Sequence, residues 1–86
     1  MKKATRHVAG KSNILGEKIK QVRVMKDLTQ EDVSERLKAY DVKLEQRTIS
    51  SIERGSRTIS DFEALAFANS LEVSIAELYS DEPYFL

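Results

Sequence analysis

Among the hydroxyl side chains followed, three positions later, by an acid are Thr29 with Asp32, Ser60 with Glu63, and Ser74 with Glu77. This is the spacing of a capping box. The hydroxyl accepts a hydrogen bond from the backbone N–H three residues on, and the acid reaches back to the N–H of the capping residue. Three such boxes call for helices opening after positions 29, 60 and 74; the first, "TQED", uses Asp32 where Glu is more usual. Little is left for a sheet. β-branched residues never alternate with polar ones for long, and the single proline, Pro83, stands near the end. The expectation is an all-α chain forming one small domain with a modest core.

Apolar spacing fills in the remaining elements. A first helix, capped by Ser12 or Asn13, is expected to bury Leu15, Ile19, Val22 and Met25, and to stop at a left-handed Asp27. The second turns Val33 and Leu37 inward, keeps the small Ser34 where another helix can approach, and fades near residues 38–39. "AYDVKLEQ" reads as a connection with Val42 and Leu44 tucked beneath it. The third helix runs from Gln46 to Arg54 and ends at Gly55, a residue suited to the left-handed position after a helix. The fourth is expected to bury Phe62, Leu65, Ala66 and Leu71, and a short fifth to bury Ile75, Leu78 and Tyr79. Residues 1–11, "MKKATRHVAGK", have no apolar period and hold five bases counting His7, so a flexible basic arm is expected there. Residues 12–80 form the folded domain and residues 81–86 a C-terminal tail, with helix five and the closing "YFL" as candidates for a dimer surface.

Net charge is zero, which alone speaks against a polyanionic partner, but the charges are segregated. Residues 1–26 hold eight bases and one acid, residues 27–57 six bases and seven acids, and residues 58–86 six acids with no lysine or arginine. An anionic partner would meet the front of the chain, and a protein could meet the back. No cysteine is present, which excludes disulfides and thiolate-held metals and suits a cytoplasmic setting. No apolar run approaches a membrane span. Enzyme chemistry lacks a constellation. His7 has no companion ligands, Asp81 and Glu82 read as a solvated pair, and Ser12, Ser50 and Ser60 have no base beside them. The three glycines lie too far apart to cradle a phosphate, so neither catalysis nor a cofactor or metal is expected.

What remains is "RTISSIERGSR", residues 47–57. At 100° per residue Ile52 and Glu53 fall within about 60° of Ile49, while Arg47, Ser50, Ser51 and Arg54 group on the outer side. Amide, guanidinium and hydroxyl groups suit base edges and phosphates: Gln can bond adenine twice, Arg can bond guanine twice, and Ser bonds several partners. Glu53, an acid on the inner side, needs a partner. Arg23 lies on the buried flank of helix one and can supply it.

"LGEKIKQVR", "LTQEDVSERL", "TISSIERGSR" and "SLEVSIAELY" together resemble, in order and spacing, the Cro and phage-repressor type helix–turn–helix family, over about Leu15 to Tyr79. The resemblance implies a five-helix lambda-repressor-like domain that binds double-stranded DNA as a transcriptional regulator. It implies a repressor acting as a homodimer on an inverted-repeat operator. Gln46, Arg47, Ser50 and Ser51 match positions that read bases or flanking backbone. Gln30, Arg54, Ser56 and Arg57 match positions near phosphates, and Arg23 with Glu53 match a buried ion pair. The chain departs from the common pattern in a connection about five residues longer between helices two and three, in Ser34 for alanine and in Glu72 for glycine. An alternative within such families is an antitoxin, a module that binds a protein partner as well as its own promoter.

Overall fold

The computed structural model describes residues 10–85. Its helices are α1 (Gly16–Met25), α2 (Gln30–Leu37), α3 (Gln46–Arg54), α4 (Asp61–Leu71) and α5 (Ile75–Tyr79), with a 3₁₀ turn at Lys38–Tyr40 after α2. The described residues contain no strand. No helix among them is long and apolar enough to cross a membrane.

Two of the expected boxes close fully. Thr29 Oγ1 accepts from Asp32 N at 2.9 Å and Thr29 N donates to Asp32 Oδ2 at 2.9 Å. The bond from the Thr29 backbone N–H, helped by the Thr29 side chain, holds the Asp32 carboxyl below its ordinary pKa, so the cap is charged at neutral pH. Ser60 and Glu63 make the same exchange at 3.1 Å in each direction. At Ser74 the hydroxyl accepts from Glu77 N at 3.0 Å, while the Glu77 carboxylate turns to Lys18 Nζ, also at 3.0 Å. Asp27, Asp41 and Glu72 sit at φ 60, 62 and 59, each just past the end of a helical segment. A left-handed residue there turns the chain away, though without glycine's freedom it is strained.

The core is built as expected from Leu15, Ile19, Val22, Val33, Leu37, Val42, Ile49, Ile52, Ala66, Leu71 and Leu78, all buried. α1 packs on α3, α2 on both α3 and α4, and α5 on α4 and α1. Helix four departs from expectation. Phe62 and Leu65 are 57% and 51% exposed, and the buried stripe is Ala64, Phe67, Ala68 and Leu71. "FEALAFANSL" is apolar nearly all round, so two stripes were open. The i, i+3, i+4, i+7 stripe of alanines about one Phe lets α4 lie close against α2. Met25, at the end of α1, also turns outward, as do Ile75 and Tyr79, since the five-residue α5 buries only Leu78.

At its N-terminal end α1 is held against α3 by Asn13 and Gly16. Asn13 uses both ends of its amide. Its Oδ1 accepts from Leu15 N at 2.9 Å and Gly16 N at 2.6 Å, capping α1. Its Nδ2 donates to the carbonyls of Ile52 at 3.0 Å and Arg57 at 2.8 Å. Beside it, Gly16 lies so near α3 that a Cβ would run into the Ile52 carbonyl oxygen. At the other end of the chain, the buried Lys18 ammonium donates to the carbonyls of Ser80 at 3.0 Å and Glu82 at 2.6 Å. Tyr84 packs half-buried on the core, with its N–H donating to Gln21 Oε1 at 3.1 Å. The C-terminal tail therefore folds onto α1, and of "YFL" only Phe85, 76% exposed, projects among the described residues.

Candidate nucleic-acid interface

α3 starts after Glu45, whose extended backbone turns the chain into the helix. The preceding connection is held by the Ser34 hydroxyl, which donates to the Leu44 carbonyl at 2.6 Å. The small serine that lets α2 approach α3 also fastens the strand of chain leading into it. Ile49 and Ile52 are fully buried and Glu53 nearly so, which fixes the rotation of the helix. Gly55, at φ 81, ends it.

Under that rotation Arg47, Ser50, Ser51 and Arg54 come to lie together on a shallow concavity that Gln46, Ser56 and Arg57 also line. Three arginines and no carboxylate belong to its lining. Arg47 is 88% exposed along its side chain and reaches Glu45 at 3.3 Å, a pair too solvated to hold it. Arg54 turns back over the hydroxyls of Ser50 and Ser51, at 2.6 and 3.2 Å. The Ser56 hydroxyl donates to the Ser51 carbonyl at 3.1 Å.

Behind the concavity runs a chain of polar bonds. Arg23 donates to Glu53 through Nε at 2.7 Å and Nη2 at 3.1 Å, and through Nη1 to the Leu28 carbonyl at 2.8 Å. Glu53 Oε1 also accepts from Gln30 Nε2 at 2.9 Å, and Gln30 Oε1 accepts from Gln46 Nε2 at 3.1 Å. The buried ion pair thus sets the orientation of Gln30, and Gln30 sets that of Gln46 at the exposed entrance to α3. Charge buried with every bond made is the condition under which such a pair holds its geometry.

Four contributors escaped the sequence reading. Glu63, read only as a cap, also accepts from Arg57 Nη1 at 3.0 Å and Nη2 at 3.1 Å. That bond holds the Glu63 carboxyl below its ordinary value and raises the Arg57 guanidinium, so both remain charged. Lys11, read as part of the arm, donates to the Arg54 carbonyl at 2.6 Å, and Ser12 N donates to the Gly55 carbonyl at 2.7 Å. The chain therefore enters the described structure beside the C-terminal end of α3. Lys2, Lys3, Arg6 and His7 lie outside the described residues. Asn13 and Gly16 complete the four; only a serine-or-asparagine cap signalled the first, and nothing in the spacing signalled the second.

The helix–turn–helix family model matches residues 19–78, which span α2, the connection and α3 and extend to α5. Comparison with curated proteins gave no match, and comparison with solved structures gave none. With most of the chain covered and the all-helical architecture in place, the chain belongs to the Cro and phage-repressor type helix–turn–helix family of DNA-binding transcriptional regulators.

Proposed function

We propose that this protein is a sequence-specific repressor that binds an inverted-repeat operator as a homodimer in the cytoplasm. α3 enters the major groove with Gln46, Arg47, Ser50 and Ser51 toward base edges. Gln30, Ser56 and Arg57 take the flanking phosphates. The observation that carries this reading is the pairing of Gln46 with Gln30 on top of the Arg23–Glu53 bridge. A solvated helix face has no need of a buried charge to orient its amides. The basic arm, leaving from the α3 end, adds phosphate contacts. Half-sites lie about one helical turn apart.

The homodimer is supported by exposed Phe62, Leu65, Ile75 and Tyr79 on α4 and α5. Those side chains, set in the segment with six acids and no lysine or arginine, equally favour a second reading in which a basic protein partner docks there, as on an antitoxin. Selection of bound sequences from random duplex DNA tests the first reading. A palindromic motif with regular half-site spacing is expected; enrichment of no motif refutes it. Sedimentation of the DNA-free protein tests the dimer, and a monomer at all accessible concentrations refutes it.

A further inference from the structure

Arg54 is the last residue of α3, a position that the family resemblance places near the phosphates beyond the helix. Its side chain runs the other way. Nη1 donates to Ser50 Oγ at 2.6 Å and Nη2 to Ser51 Oγ at 3.2 Å, which carries the guanidinium back about one turn onto the middle of the outward face. Helical side chains lean toward the N-terminus, so this is a relaxed direction. The seat is itself fixed. The Ser51 hydroxyl gives its proton to the Arg47 carbonyl at 3.1 Å, leaving its oxygen to accept from Arg54. The Arg54 carbonyl takes the Lys11 ammonium, anchoring the backbone below.

We infer that Arg54, seated on Ser50 and Ser51, reads a guanine in the major groove rather than a phosphate. This rests on the DNA-binding reading above. A phosphate is served by any nearby cation, whereas a guanine O6/N7 edge takes two N–H groups from one plane. The two serines are too short to probe a groove deeply, and they hold the fork in one plane while its remaining N–H groups stay outside. On this face the long arginine supplies the reach and the hydroxyls supply the aim.

The test is selection from random duplex DNA with the wild-type chain and with Arg54→Lys, which keeps the charge and loses the fork. Salt titration of Arg54→Ala runs alongside. Expected is a G·C pair in the wild-type motif that Arg54→Lys no longer prefers. The loss on the cognate site should be roughly 5- to 150-fold, with little change on random duplex. Ser50→Ala with Ser51→Ala should weaken preference at that same base pair, in addition to whatever pairs the two serines read themselves. Arg54 is exposed, so these variants should keep the wild-type circular dichroism. An Arg54→Lys motif identical to wild type overturns the assignment. So does an equal loss on cognate and random DNA with the salt slope of Arg54→Ala reduced by about 0.9. A wild-type chain that enriches no motif overturns the DNA-binding reading itself, an outcome separate from a retained motif.

Discussion

Replacing Glu53 by Gln preserves its shape and removes its charge. Wild-type Glu53 is 6% exposed, and its carboxylate accepts from Arg23 Nε at 2.7 Å, Arg23 Nη2 at 3.1 Å and Gln30 Nε2 at 2.9 Å. A glutamine there turns one acceptor oxygen into an NH₂ group that faces donors. Arg23, whose side chain is 11% exposed, is left with one glutamine oxygen and the Leu28 carbonyl as acceptors and no balancing charge. Removing one partner of a buried pair costs about 3–5 kcal/mol. The low end applies, since water can reach the rim of Arg23. A cost of about 3 kcal/mol takes away a large share of the stability of a domain this size and lowers its melting temperature by about 12–24 °C. Urea unfolding followed by far-UV circular dichroism measures it. The double variant Arg23→Met with Glu53→Leu should lie well above the sum of its singles, with a coupling of about 2 kcal/mol. A Glu53→Gln chain that loses less than about 1 kcal/mol at an unchanged m-value, or singles that simply add, would refute the idea that this pair joins α1 to α3.

Gly16→Ala should cost about 2–3 kcal/mol by the same urea assay, because the new methyl meets the Ile52 carbonyl, part of the backbone, and α1 must shift from α3. Glu72→Gly should do the opposite and stabilise by about 1 kcal/mol in thermal melts, since Glu72 holds φ 59 with a Cβ. Glu63, whose folded pKa is depressed chiefly by its hydrogen bond from Arg57, contributes stability above its unfolded value and loses it as pH falls through the folded one. The stability gap between wild type and Glu63→Gln should therefore close as urea titrations move from neutral to acid pH. A gap independent of pH would refute that link.

Elements with their own local signals were readable in the sequence. The capping boxes at Thr29 and Ser60 and the glycine after Arg54 mark helix ends through bonds between residues a few positions apart. The phase of α3 followed from two isoleucines and one buried acid, and from it came the grouping of Arg47, Ser50, Ser51 and Arg54. What stayed hidden depends on contact between distant segments. The phase of α4 could not be chosen within a sequence apolar on every side; the α2 surface chooses it, leaving Phe62 and Leu65 outside. The direction of Arg54 and the double duty of Glu63 are settled by side-chain rotamers, which residue spacing does not encode. Asn13 bridges two helices nearly forty positions apart, and a capping preference reports only its nearer half.

The long connection between α2 and α3 has a practical consequence. Its exposed part, residues 38–41, stands outside the points that hold it, namely buried Val42 and the Ser34 bond to Leu44. Chain length there is decoupled from where α3 begins. A fluorophore or short peptide grafted at this lobe would ride along without turning the groove-facing surface, giving an inert handle for following the regulator on DNA.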